Sequence, residues 1–300
     1  MSHAACTLFE GNYHLGAGAL INSLHAAGFA GRIICGHRGP LPPWADAARR
    51  IRGPIEVRFV PVETDVHLTY HKPEFLRACW EWHHPGADQL YYFDPDIVVK
   101  APWSVLARWA ADGLALCEDV NGYLPARHPY RLGWIDFLQR HELPAVRPLD
   151  RYYNAGFIGL PRSCLGFIGS WARIIADARA ELGALGRLKH DRPHALFHSA
   201  DQDAMNMALM ISHLPVNGAG PEGMDFIPGG HLLSHAAGSR KPWKGGFLRA
   251  ALRGRPPAAA QKSFFRFADG PLPLFRDAEL ARLRLSLRAG ALLGRVYRRA

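Results

Sequence analysis

The chain offers no cysteine framework. Its 300 residues hold five cysteines, Cys6, Cys35, Cys79, Cys117 and Cys164, which are odd in number, widely spaced and without a Cys-x-x-Cys. That argues against disulfide staples and a thiolate zinc site, and suits a reducing compartment, the cytoplasm. Long hydrophobic runs are missing too, and no apolar stretch approaches bilayer-spanning length. Met1-Ser2-His3-Ala4-Ala5 has no basic segment with an apolar one behind it, so no secretory leader is expected. Gly16-Ala17-Gly18 lacks a third glycine in phase and is not a dinucleotide fingerprint; close helix packing is the expected use of these glycines. Acidic residues are scarce in one region only. Residues 241–300 carry 14 Lys/Arg against 3 Asp/Glu, whereas residues 1–240 carry 22 against 23. The formal charge of +10 therefore belongs to the tail, and a basic tail suggests an anionic surface, either membrane or nucleic acid.

What is present begins with ample core. At 48% hydrophobic content the length fits one large α/β domain with a C-terminal appendage. The most informative stretch is Gln89-Leu90-Tyr91-Tyr92-Phe93-Asp94-Pro95-Asp96-Ile97-Val98-Val99. Its apolar and aromatic run reads as a buried strand ending in two carboxylates around one proline. Two such carboxylates repel and lose hydration, and a hard divalent cation that also touches phosphate oxygens would compensate them. Pro95 cannot donate to a ladder and suits a bend that turns Asp94 and Asp96 to a common point. Plain turn chemistry is the competing reading. The stretch also resembles the nucleophile loop of haloacid dehalogenase phosphatases.

Along the chain, residues 6–9, 32–35 and 55–62 read as strands, with Glu10-Gly11-Asn12-Tyr13 as the loop after the first. Helical spacing marks residues 14–27, and residues 73–84 with Pro73 in the first turn. Such alternation implies parallel pairing, with ligands beyond the carboxyl ends of the strands. Glu10, Asn12, Asp94 and Asp96 all lie at such ends. Residues 113–117 form a further strand ending in Glu118-Asp119. The aromatic and basic segment 121–140, with Tyr123, Tyr130, Trp134 and Phe137, reads as irregular; it either grips an acceptor or folds over the core.

Three later features add chemistry. Residues 152–160 read as a buried strand interrupted by Asn154 and by Gly156 and Gly159, which suits close approach of a ligand or a bulge. Residues 162–182 read as a long helix. Ser199-Ala200-Asp201-Gln202-Asp203 opens another: Ser199 and Gln202 fit a capping box, while Asp201 and Gln202 could instead hold sugar hydroxyls. His235 stands at a strand end before Gly238 and Lys241-Pro242-Trp243, a pattern suited to a metal and a diphosphate.

In this order, Tyr-Phe-Asp-Pro-Asp-Ile-Val at 92–98, Asn-Ala-Gly at 154–156, Asp-Gln-Asp-Ala-Met-Asn at 201–206 and His235 with Gly238 and Lys241-Pro242-Trp243 resemble the GT-A glycosyltransferases. The similarity is specifically to the retaining family 8 transferases, the lipopolysaccharide galactosyl- and glucosyltransferases and glycogenin, and it covers residues 6 to 244. It implies a Rossmann-like α/β/α sandwich with a mostly parallel sheet at 1–245 and a basic extension at 246–300. It also implies a metal-dependent hexosyltransferase that uses a nucleotide sugar, UDP-linked, and an acceptor that is a saccharide or glycolipid, with retention. By the same resemblance Asp94, Asp96 and His235 hold Mn²⁺ or Mg²⁺, and Gly238 and Lys241 meet the diphosphate. Thr7, Glu10, Asn12 and Tyr13 fall where uridine is held, and Lys72 takes the place of a basic residue near the donor. Asn154, Asp201 and Gln202 would touch the transferred sugar, with no residue standing out as a nucleophile. The proline between the aspartates and Glu10 in place of the family's more usual aspartate are departures.

Rivals lack their own signatures. A phosphatase needs a late acidic pair, a sugar nucleotidyltransferase a glycine-rich basic loop after the first strand, and neither is found. A non-catalytic sugar-nucleotide binder would be favoured by a lost metal ligand, and all three are present. In the tail, Leu280, Leu283, Leu287, Leu292 and Val296 alternate with Arg282, Arg284, Arg288, Arg295, Arg298 and Arg299. That fits a basic amphipathic segment on the inner face of a membrane; the competing readings are a solvated helix docked on the body and a disordered tail. A nucleic-acid partner would explain the tail but not the acidic strand end, so none is expected.

Overall fold

The computed structural model of the protein describes residues 1–51, 53–120, 124–183 and 196–297. Tyr123, Arg298 and Arg299 lie outside the described residues. Nine strands are seen among these residues: β1 (His3–Glu10), β2 (Gly31–Arg38), β3 (Ile55–Pro61), β4 (Gln89–Phe93), β5 (Ile97–Val99), β6 (Leu114–Cys117), β7 (Phe157–Pro161), β8 (Val216–Ala219) and β9 (Leu233–His235). The main sheet has the order β3-β2-β1-β4-β7-β6-β8, and β5 pairs antiparallel with β9 in a small second sheet. β1 is parallel to β2 and β4, β2 to β3 and β6 to β8, while β7 runs antiparallel to its neighbours β4 and β6. The mostly parallel α/β sheet implied by the alternating pattern is therefore present, with one reversed strand.

The helices are α1 (His14–Ala26), α2 (Ala45–Arg49), α3 (Lys72–Ala78), α4 (Trp103–Trp109), α5 (Pro129–Arg140), α6 (Leu165–Leu182), α7 (Ala200–Met210), α8 (Phe247–Ala251), α9 (Ala259–Arg266) and α10 (Asp277–Tyr297). Strand side chains alternate between two cores. Leu90 and Tyr92 of β4 join one with Leu76, Trp134, Trp171 and Met205, from α3, α5, α6 and α7. Tyr91 and Phe93 join the other with Ile21 and Leu24 of α1, Leu106 of α4 and Phe247, Phe265 and Leu283 of α8 to α10. Both faces of β4 are covered, which is why its sequence is a continuous apolar run rather than an alternation. The residues after 245 thus contribute to the core on the α1 face. Asn22 of α1 fixes them: its Nδ2 donates to the carbonyls of Phe267 and Leu272, each at 2.9 Å, and its Oδ1 accepts the Leu272 N–H.

Four elements differ from their sequence patterns. The run 89–99 is two strands in two sheets, with Asp94-Pro95-Asp96 as the turn between them. The helix expected over 73–84 ends at Ala78 and widens into a single π turn, Cys79–His83, where the His84 N–H reaches the Cys79 carbonyl five residues back. The strand expected over 152–160 begins only at Phe157, because the Asn154 side chain takes the Gly156 N–H and bends the backbone first. Within 121–140, residues 129–140 are α5: Pro129 occupies the first position, and the His128 ring accepts the Tyr130 N–H as a cap.

The α1 glycines have a packing use. A Cβ on Gly16 would lie 2.2 Å from the Pro95 carbonyl and 2.7 Å from the Trp243 ring. One on Gly18 would lie 2.3 Å from Leu274. Gly16 therefore lets the helix press on the acidic turn, and Gly18 lets the C-terminal segment press on the helix.

Candidate active site

The acidic turn closes with the Ile97 N–H on the Asp94 carbonyl at 3.0 Å, and the Asp94 N–H on the Gly156 carbonyl at 2.6 Å. The register of β5 on β9 places Ile97 opposite His235, which brings that imidazole to the turn. His235 Nε2 lies 3.2 Å from Asp96 Oδ1 and 3.9 Å from Asp94 Oδ2. The three side chains offer ligand atoms all within 4.8 Å of one another.

Each carboxylate has its other oxygen on a lysine. Asp94 Oδ1 pairs with Lys72 Nζ at 3.0 Å and accepts the Tyr92 hydroxyl at 2.9 Å. Asp96 Oδ2 pairs with Lys241 Nζ at 2.5 Å. The oxygens facing His235 remain without a hydrogen-bonded proton donor other than that ring among the described residues. Two hard oxygen donors and one imidazole nitrogen, turned to one point, fit a divalent ion of the Mn²⁺ or Mg²⁺ kind. Burial alone would raise Asp96, but His235 and Lys241 outweigh it and hold its carboxyl well below the ordinary range. It is therefore an anion ready to ligate. Gly156 makes the convergence possible: a Cβ there would lie 2.6 Å from His235 Cε1, 2.7 Å from Asn154 Oδ1 and 3.0 Å from Asp94 Oδ2.

Lys72 joins this group to α7. Its Nζ donates to Asp201 Oδ2 at 3.1 Å and to the Ala155 carbonyl at 3.1 Å, over the Tyr92 ring. Burial disfavours its charge, yet Asp94 and Asp201 outweigh burial and push its pKa up. Burial raises Asp201, Lys72 draws it down, and the nearby Asp94 adds to the rise.

The opening of α7 does not form the capping box its sequence allows. The Ser199 side chain caps nothing; instead Asp203 Oδ2 accepts the Ser199 N–H at 2.8 Å and Asp203 Oδ1 accepts the Tyr152 hydroxyl at 2.5 Å. That frees Gln202, whose Oε1 accepts the Ala155 N–H at 3.1 Å and whose Nε2 donates to Asp119 Oδ2 at 3.1 Å. Asn154 Nδ2 donates to the same oxygen at 2.6 Å. One turn along α7, Asn206 clasps the backbone N–H and C=O of Tyr153. Asp119 thus orients both amides; the sequence places it at the end of the 113–117 strand but does not single it out as a site residue. The cue was the rule already applied to Asp94 and Asp96.

Lys241, buried, follows the exposed Ala237-Gly238-Ser239 loop in the chain. Besides Asp96 it donates to the Ala236 carbonyl at 2.8 Å, and Nζ lies 5.6 Å from the Tyr13 ring. Tyr13 and Asn12 occupy an exposed 3-10 turn, Gly11–Tyr13, at the carboxyl end of β1. The Tyr13 ring rests edge-on against Trp243, 5.4 Å between centroids. The structure therefore brings together Asp94, Asp96, His235, Lys72, Lys241, Tyr13, Asp201, Asn154 and Gln202. Among the described residues, Thr7, Glu10, Asn12 and Gly238 make no side-chain bond to this group. Thr7 is fully buried in β1 with its hydroxyl unpartnered, and Glu10 pairs with Arg38 at 2.6 Å.

The sequence matches no protein-family model and no curated protein. Solved structures do resemble the chain. The bifunctional glycosyltransferase WbbM superposes with a TM-score of 0.58 at 17% identity, over 94% of this chain and 51% of that one. The galactosyltransferase LgtC, in complex with donor and acceptor sugar analogs, gives 0.58 at 16% identity over 93% of this chain and 100% of its own. The glycosyltransferase GlyE of Streptococcus pneumoniae TIGR4 gives 0.53 at 13% over 94% and 63%. The chain thus spans about half of WbbM and the whole of LgtC. At such identities the likeness is one of architecture: the chain has the GT-A fold of these glycosyltransferases.

Proposed function

We propose that this protein is a metal-dependent hexosyltransferase that moves a hexose from a nucleotide diphosphate sugar, UDP-linked, to a saccharide or lipid-linked acceptor with retention. The observation that carries this reading is the convergence of Asp94, Asp96 and His235 beside Lys241 and the open loop at 237–239. A divalent ion held there would act as a Lewis acid towards diphosphate oxygens. The chain's own part is positioning and charge. Lys241 and the backbone around Gly238 meet diphosphate charge, and the exposed turn with Asn12 and Tyr13 lies where a base would stack. Asn154, Asp201 and Gln202, held in place by Asp119 and Lys72, face the transferred sugar. Fixed dipoles of this kind stabilise charge that develops at the anomeric centre and the leaving group.

Thermal stability with UDP, with and without Mn²⁺, tests the reading on wild type and on Asp96→Ala. Ligand at about a hundred times its Kd stabilises the folded state by about 2.7 kcal/mol. A Mn²⁺-dependent rise in Tm that vanishes in the variant is expected, followed by Mn²⁺-dependent hydrolysis of a UDP-sugar. No rise with UDP or any other nucleoside diphosphate, with or without Mn²⁺, would overturn it.

The lipid-linked acceptor rests on the extension, residues 246–300. Leu252, Leu285, Leu292 and Val296 stand 60–72% exposed on and beside α8 and α10, among the exposed Arg249, Arg282, Arg288 and Arg295. Among the described residues no helix is long and apolar enough to cross a membrane. An apolar stripe edged with arginine suits an anionic lipid surface instead. Sedimentation with anionic vesicles but not neutral ones, lost in Leu285→Glu/Leu292→Glu, is the expected result. Equal binding to both vesicle types would remove the electrostatic part.

A further inference from the structure

The two lysines of the site are placed alike but bound differently. Lys72 is 2% exposed, and all three of its N–H donors are taken, by Asp94, Asp201 and the Ala155 carbonyl. Lys241 has two partners among the described residues, Asp96 Oδ2 at 2.5 Å and the Ala236 carbonyl at 2.8 Å. Its third donor has no partner among the described residues, and Nζ, in a side chain that is itself buried, lies 5.6 Å from the Tyr13 ring. The backbone next to it is pinned, since Trp243 packs over Gly16 and Gln261 Nε2 donates to the Arg240 carbonyl at 3.0 Å. A lysine head on a four-carbon stem can move several ångströms from such a fixed backbone.

Asp96 is then claimed twice. One oxygen faces His235 and the other holds the Lys241 ammonium, so a divalent ion on this carboxylate has a second cation on the same group. Like charges that close, shielded from solvent, oppose one another. A diphosphate offers that ammonium another anionic partner.

We infer that Lys241 is a built-in counter-ion of Asp96 that opposes divalent-metal binding until a diphosphate draws its ammonium away, so that metal and nucleotide bind cooperatively. This rests on the nucleotide-diphosphate reading above and adds an order of events to it. Linkage makes the coupling reciprocal: UDP raises the affinity for Mn²⁺ by the factor by which Mn²⁺ raises the affinity for UDP.

The test follows Mn²⁺ alone, through the EPR signal of the free ion, titrated into wild type, Lys241→Met and Asp96→Asn, and repeated at saturating UDP. Lys241→Met is expected to bind Mn²⁺ alone about tenfold more tightly than wild type, and to lose most of the gain that UDP gives wild type. Asp96→Asn should bind Mn²⁺ weakly in both conditions. If Lys241 merely braces the site, Lys241→Met binds Mn²⁺ alone equally or more weakly, and the inference is overturned while the metal site stands. Should that variant not fold, wild type still decides, because equal Mn²⁺ affinity with and without UDP excludes the cooperation. No Mn²⁺ binding by wild type in either condition would overturn the metal site itself and this inference with it.

Discussion

Asp94 and Asp96 stand two residues apart on one turn, yet the halves of the site built on them differ in kind. In the Asp94 half every donor of Lys72 is taken, by the part-exposed Asp94, the buried Asp201 and the Ala155 carbonyl, and Tyr92 bonds the same Asp94 oxygen. The Asp96 half is buried too, but Lys241 keeps one N–H without a partner among the described residues, and its Nζ lies against the exposed Tyr13 ring. A network without spare donors fixes position, whereas one with a spare donor can answer a ligand. The first half is suited to holding the sugar-facing groups still, and the second to the charged, exchanging part of the donor.

Removing each lysine breaks the comparison most sharply. Lys72→Met leaves the buried Asp201 and the part-exposed Asp94 facing each other without a cation. Deleting one partner of a buried ion pair costs about 3–5 kcal/mol, which lowers Tm by something on the order of 10 °C. Lys241→Met leaves Asp96 still beside His235, so less than half that loss is expected. Calorimetric melts of both variants check this. Equal losses would mean that the two halves are alike.

Gly156 is where the halves meet. Its missing side chain leaves room for His235, Asn154 and Asp94 together, and none of these can retreat without giving up a partner. Gly156→Ala is expected to cost about 1–3 kcal/mol through overpacking. It should also weaken Mn²⁺ binding by about tenfold or more, since 1.4 kcal/mol is a factor of ten. Unchanged Mn²⁺ affinity in a titration would show that His235 does not need this gap.

How much of this was legible in the sequence follows from the same contrast. Asp94, Asp96 and His235 could be read because strand ends, a proline bend and a histidine before a glycine loop are local patterns. The alternation of strands and helices gave the mostly parallel sheet, but nothing local announced that β7 runs backwards or that residues 97–99 leave the main sheet. The clasp of Asp119 on Asn154 and Gln202 spans 35 and 83 residues, and no spacing rule reaches that far. The capping box at Ser199 was a sound local reading, overridden because Asp203 found the Ser199 N–H first and tertiary partners claimed Gln202. The C-terminal segment looked like a basic appendage because its arginines are conspicuous. Its buried Phe247, Phe264, Phe265 and Leu272 carry the packing.

The finest form of the comparison lies within one helical turn. Asp201 and Asp203 are both buried at the start of α7, but Asp201 meets the cation of Lys72 while Asp203 meets only neutral donors, Tyr152 and Ser199. Burial pushes Asp203 up to about 7, even though the Tyr152 and Ser199 bonds favour its charged form. Its folded-state value exceeds the ordinary aspartate value of 3.8, so between the two the folded chain binds the extra proton. The contribution of Asp203 to stability is therefore complete below about pH 4 and is lost as pH rises through 7. Wild type should lose roughly 3 kcal/mol from this group between pH 5 and 8. Asp203→Asn, which cannot titrate, should show a flatter stability profile over that window by chemical denaturation, with Mn²⁺-dependent UDP binding retained. A profile as steep as that of wild type would mean that Asp203 stays ionised throughout, and that its two hydrogen bonds compensate its burial as fully as Lys72 compensates Asp201.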